Sequence, residues 1–231
     1  MCKIFCTISS KYLTQEKRRN TVEKIIENNQ VTISGEMTSD FEFSHEVFGE
    51  GFYTAQMAIR RESGQKDRIP IMASERLVDV KRKWTGQSAE VSGQLRSYDR
   101  NEGERNRLEL SVFARKMELR AAGKKKIRSD ENSVFLDGYV CKIPFYRKTP
   151  TGREITDLLL AVRMPYGKSV YIPCICWGRN ARYAEGFELG QPVQVCGRIQ
   201  SRDYQKRISD QEYEARVAYE VSASGLQMKK E

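Results

Sequence analysis

The stretch YIPCICWGRNARYAEGFELGQPVQVCGRIQSRDYQ, residues 171–205, decides how the whole chain is read. It opens as a strand. In YIPCICW (171–177), Ile172, Cys174 and Cys176 point one way, while Tyr171, Pro173, Ile175 and Trp177 point the other, because side chains on an extended chain alternate faces. GRNARYAEGFEL (178–189) then reads as a helix. QVCGRI (194–199) reads as a short strand whose internal glycine marks the tight bend of a small barrel.

Working outward, the same pattern occurs once more, earlier in the chain. VTISG (31–35), AIR (58–60) and IPI (69–71) precede the first copy's later strands, as VFLDG (134–138), AVR (161–163) and IPC (172–174) do in the second. Gly35 and Gly138, Ala58 and Ala161, and Pro70 and Pro173 all stand 103 positions apart. GQSAEVSGQLRS (86–97) then aligns with GQPVQVCGRIQS (190–201) at 104, and LSVFA (110–114) with YEVSA (219–223) at 109. The offset grows only where a loop tip would lie, which is how a duplicated domain diverges.

The duplication sets the organisation: residues 30–119 and 132–231 as two domains, 120–131 as a basic linker, and 1–29 as an N-terminal extension, disordered or partly helical. RAAGKKKIRSDEN (120–132) has no periodic apolar residues, and in 15–29 only Val22, Ile25 and Ile26 are apolar at helical spacing. In each copy the strands have period two, as in TAQMAIR (54–60) with Ala55, Met57 and Ile59 on one face and LLLAVR (158–163) with Leu158, Leu160 and Val162. One helix follows the third strand, at SERLVDVKRKW (74–84) and at 178–189, before a closing hairpin. Strands, one helix, then a hairpin is the order of the five-stranded Greek-key OB barrel, so the chain reads as all-β with two tandem OB barrels, each with a short helix. An SH3-like barrel lacks a helix at that place.

With 40 Lys and Arg against 31 Asp and Glu, the net charge is +9, which favours a polyanionic partner. The six cysteines form no CxxC pair and His45 is the only histidine, so no metal site, cofactor or zinc ribbon is expected. Cys174 and Cys176 fall on Ile71 and Ala73 of the first copy, the mark of small buried hydrophobes. TPTGRE (149–154) is a turn without the phosphate-loop pattern, and no nuclease or ligase constellation stands out, so the chain is not expected to be an enzyme. No stretch approaches the length of an apolar membrane span and the start lacks a secretory h-region; the expectation is a cytoplasmic protein with no membrane partner.

In pattern and order, 171–205 resembles the core of bacterial single-stranded-DNA-binding proteins: a strand ending in an aromatic and Gly-Lys/Arg, an Ala-rich short helix, a strand with Val-x-Val/Ile-x-Gly-Arg/Gln, and a basic hairpin with a tip aromatic. The first copy follows the outline more weakly through IPIMASERL and GQSAEVSGQLRSYD, and 30–228 looks like a tandem-barrel version. The resemblance implies binding of single-stranded DNA in replication, recombination or repair, with a homodimer presenting four barrels. Family members that recruit enzymes usually end in an acidic tip. GLQMKKE is basic, which puts that recruitment in doubt.

A sequence-tolerant binder needs aromatic faces for bases and cations for phosphates. Tyr171 and Trp177 share a strand face, and Tyr204 falls where the family carries a hairpin aromatic. Arg147, Lys148 and Arg153 lie in the first loop (142–154), Arg179 follows Trp177, and Arg198, Arg202 and Lys206 flank the last hairpin. Each aromatic has a competing role in the core. In the first copy Arg68 and Ser74 replace the aromatic pair, leaving Tyr98, Arg96, Arg100, Arg105 and Arg107 as a weaker, mainly electrostatic site. Phe41, Phe43, Phe48, Phe52 and Tyr53 crowd its first hairpin as core, interface or a substitute platform, with core or interface favoured. An RNA-binding OB protein and a primosome-like protein-interaction adaptor are the alternatives.

Overall fold

The computed structural model describes residues 28–102, 105–120, 130–207 and 213–229; the side chains of 99–102, 105–107 and 166 lie outside the description. The first half comprises β1 (Asn29–Met37), β2 (Glu42–Val47), β3 (Glu50–Arg60), β4 (Lys66–Ser74), β5 (Ser88–Glu102) and β6 (Arg105–Leu119). The second comprises β7 (Asn132–Val140), β8 (Phe145–Lys148), β9 (Glu154–Arg163), β10 (Ser169–Trp177), α1 (Arg179–Glu185), β11 (Pro192–Arg207) and β12 (Tyr213–Met228). β1 and β2 are one long barrel strand broken at 38–41, as are β7 and β8 at 141–144. Each half is therefore a five-stranded OB barrel. β1 pairs with both β3 and β5, β7 with both β9 and β11, and each barrel closes through a parallel pair, β4–β6 and β10–β12.

Alternation fills each barrel. Ala55, Met57 and Ile59, and Leu158, Leu160 and Val162, are buried, as are Ile172, Cys174 and Cys176. β5 and β11 run much further than the short strands expected, each bent by a bulge, at Ser92/Gly93 and Cys196/Gly197. The core sides of both strands are capped by Asn29 and Asn132, whose amides exchange two hydrogen bonds each with the backbones of Leu95 (2.8 and 2.9 Å) and Ile199 (2.8 and 3.0 Å).

The helix expected at 74–84 does not form; the segment is a series of turns. Ser74 accepts from Arg76 N–H through its hydroxyl, and Asp79 does the same for Lys81 N–H, so side chains compete with the helical ladder around the poor helix formers Val78, Asp79 and Val80. Trp84, 6% exposed, plugs the barrel end instead, edge-on to Phe41 at 5.5 Å. Its backbone N–H and that of Thr85 donate to the Asp40 carboxylate at 2.6 and 2.8 Å. In the second copy, small Ala181 and Ala184 let α1 lie close on the barrel.

The barrels are joined by antiparallel pairing of β1 with β7, giving one continuous twelve-stranded sheet with β2 and β8 at its edges. Val31 faces Val134, its counterpart at the 103 offset, so a pseudo-twofold axis passes between them. Ser34 N–H donates to Glu131 C=O (2.9 Å) and, symmetrically, Asp137 N–H donates to Asn28 C=O (2.7 Å). Among the described residues no helix is long and apolar enough to cross a membrane.

Candidate nucleic-acid interface

Strand register places the candidate residues of the second barrel. Trp177 pairs with Ile155 and that with Arg147; Ile175 pairs with Asp157 and that with Phe145. Directly paired residues share a face, so Trp177, Arg147 and Phe145 all stand on the outer face, opposite Cys174 and Cys176. The indole is 38% exposed. Ile175, expected outside with it, is on that face but only 4% exposed. Burial holds both thiols protonated, with Cys176 pushed up to about 12.

On β11 the same parity puts Arg198, Gln200, Arg202, Tyr204 and Lys206 outward. Arg202 lies over the Tyr204 ring at 5.7 Å, and its Nε is 3.6 Å from Glu220. Arg147 and Lys148, expected in a loop, sit on β8, where Arg147 pairs with Asp157 at 3.1 Å. Arg179 is exposed at the start of α1. Gly152, Arg153, Glu154, Trp177 and Gly178 line a shallow hollow of about 500 Å³. A second groove, of about 640 Å³, runs from Trp177 and Arg153 past Arg198 and Arg202 to Arg61 and Lys66 of the first barrel, with Asp203 the one acid among the described residues of its lining. Burial first, and then the nearby Arg61 charge, pulls the Arg198 guanidinium below its ordinary value.

Tyr171 is on the same face as Trp177 but six residues away, about 20 Å along the strand. It is half exposed, and its backbone N–H donates to Ser97 of the first barrel at 3.0 Å, so it belongs to the seam between barrels. The sequence reading missed Phe145, 61% exposed, because its place on this face depends on the pairing of β8 with β9. It also missed the contribution of Arg61 and Lys66.

The first barrel's outer face is different in kind. Phe52 stands opposite Ser74, the counterpart of Trp177, and belongs to a ladder: His45 stacks on Phe52 at 5.3 Å, Phe52 meets Phe113 at 5.8 Å, and Arg96 lies over Phe113 at 3.6 Å. Phe41 is core, Phe52 and Tyr53 are half-buried, and Phe43 and Phe48 are exposed, so of the roles expected for those last two, core is excluded. Glu42, Glu46, Glu50 and Glu75 surround this hairpin. Tyr98 is 44% exposed and donates to Glu109 at 2.6 Å. The Arg100, Arg105 and Arg107 side chains, residues 1–27, and the linker residues 121–129 lie outside the described ones. Among the described residues no three His, Cys, Asp or Glu side chains gather into a metal site.

Residues 131–228 match the model of the single-strand binding protein family. Among solved structures, the wild-type single-stranded DNA binding protein from Thermus aquaticus superimposes with a TM-score of 0.68 at 21% identity, covering 88% of this chain and 93% of that one. A deletion mutant of the same protein gives 0.64 at 22%, covering 88% and 95%. The N-terminal domain of PriB from Thermoanaerobacter tencongensis is 39% identical over 41% of this chain and 99% of that one, with a TM-score of 0.37. No curated protein matches. Both barrels thus have the fold of the Thermus aquaticus protein, and the second barrel, residues 131–228, is a domain of the single-strand binding protein family.

Proposed function

We propose that the chain binds single-stranded DNA without reading its sequence, in replication, recombination or repair. Bases lie against Trp177 on the outer face of the second barrel, and phosphates follow Arg153, Arg198, Arg202 and Lys206. The observation that carries this reading is the half-exposed indole in a cationic groove, on the face opposite the buried thiols. Phe145 extends the platform, and Tyr204, with Arg202 over its ring, supports the strand toward the hairpin. Tyr171 serves bases that reach the barrel seam. The first barrel contributes less, since glutamates around its aromatic ladder repel phosphate; Arg96 acts mainly through charge, and Tyr98 lies beside it on the same strand with its hydroxyl donating to Glu109. No catalytic role is part of the proposal. Two chains associate as a homodimer presenting four barrels, which sedimentation velocity measures directly.

A fluorescence titration with dT oligonucleotides of increasing length tests the reading. Trp84 is buried, so quenching on binding reports Trp177. Trp177→Ala, followed by the anisotropy of a labelled dT oligonucleotide because it lacks the quenched indole, is expected to weaken binding by about 1–3 kcal/mol, the usual contribution of one stacked base. Unchanged affinity in that variant would remove Trp177 from the site. Preference for rU over dT would favour an RNA binder, and negligible affinity at moderate salt a protein adaptor.

A further inference from the structure

The pseudo-twofold axis relates two seams between the barrels, and the seams differ. At each, a backbone N–H of β4 or β10 donates to a serine of the other barrel: Arg68 to Ser201 at 3.1 Å, and Tyr171 to Ser97 at 3.0 Å. Among the described residues, only the bonds of the first include a carboxylate. Asp67, fully buried, accepts from Arg61 Nε and Nη2 at 2.6 and 2.5 Å, and from Ser201 N–H and Oγ at 2.9 and 3.4 Å. At the 103 offset Asp67 becomes Val170 and Arg61 becomes Met164, so the second seam has neither charge. The bidentate grip fixes Arg61 at the mouth of the groove that Arg198 enters from the other barrel and that runs on to Trp177. Two guanidiniums facing one groove repel each other. Asp67 is committed to one of them, and a bound anion relieves the remainder.

We infer that this seam is a phosphate clamp: a phosphodiester of the strand that stacks on Trp177 is held between Arg61 and Arg198, with Lys66 at the outer edge and Asp67 positioning Arg61. The inference rests on single-stranded DNA being the ligand, and it makes the second barrel's site incomplete without the first.

The test is titration of the full-length protein with a long dT oligonucleotide at several salt concentrations, following Trp177 quenching. Arg61→Gln and Lys66→Gln are each expected to lower the log–log salt slope by about 0.7, the value for one lost single-strand phosphate contact, while quenching at saturation stays intact. Asp67→Asn, with Arg61 still present, is expected to lower the slope similarly, which a loss confined to folding stability does not do. Lys66 is exposed, so its variant keeps the test open should the Arg61 or Asp67 variant fold poorly. Unchanged slopes with intact quenching overturn the clamp. Absence of binding by the unaltered protein overturns the DNA reading itself.

Discussion

Cys176 and Trp177 are neighbours in sequence and face opposite environments, and the thiol makes that contrast measurable. It is fully buried, and burial raises it from 9.0 to about 12, with the Asp157 charge adding to the effect. The protonated thiol is neutral. Below pH 9 both folded and unfolded chains carry it protonated, and its burial contributes in full. Between pH 9 and 12 the unfolded chain ionises while the folded one cannot, so this group lowers stability by about 1.4 kcal/mol per pH unit across that window. Urea unfolding at pH 7, 9 and 10.5 should show a steeper alkaline loss in the unaltered protein than in Cys176→Ala. Parallel curves would mean that the thiol is not sealed in the barrel, and the outward assignment of Trp177 would fall with it.

At the scale of elements, the bulged strands β5 and β11 depend on one glycine each. A Cβ at Gly93 would collide with the Phe113 carbonyl oxygen, and one at Gly197 with that of Ser222; both obstacles are backbone and cannot swing aside. Gly93→Ala and Gly197→Ala are each expected to lower stability by about 1–3 kcal/mol in urea unfolding. Gly186→Ala, at φ −82° with its nearest neighbour at 3.8 Å, is expected to stay within about 0.5 kcal/mol. Gly93 and Gly197 fall on each other in the aligned segments, and the landmark pair Gly35 and Gly138 is hemmed in likewise by the Ala58 and Ala161 carbonyls, so the barrel plan was legible in sequence for a physical reason: backbone approach admits no substitute. α1 was legible through its spaced alanines. The first-copy segment 74–84 was not, because local bonds from Ser74 and Asp79 and the Trp84 plug override its apolar spacing. On the site, alternation found the Trp177 face. It could not find Phe145, which needs a cross-strand register, or Arg61, which is held by a carboxylate anchored 134 residues away at Ser201.

For the whole molecule, the question is whether two barrels in one chain behave as one body. The arrangement is that of a symmetric pair: β1 meets β7 about Val31 and Val134, and the Arg68–Ser201 bond at one seam has its counterpart in Tyr171–Ser97 at the other, while the Asp67 and Arg61 set stands at the first seam. An isologous interface of this kind pairs backbone groups of each half with the other, so separating the barrels exposes two strand edges at once. The expectation is a single calorimetric transition with equal van't Hoff and calorimetric enthalpies, rather than two. Ligand sharpens the test. Single-stranded DNA in hundredfold excess over its dissociation constant stabilises whatever unit binds it by about 2.7 kcal/mol. If the barrels unfold together, that increment moves the whole transition upward, including the part reported by Trp84 in the first barrel. If they unfold separately, the heat signal splits, and Trp84 keeps its original midpoint while the second barrel's rises. The phosphate clamp requires the first outcome, because a phosphate held by Arg61 and Arg198 binds only while both barrels are folded and joined.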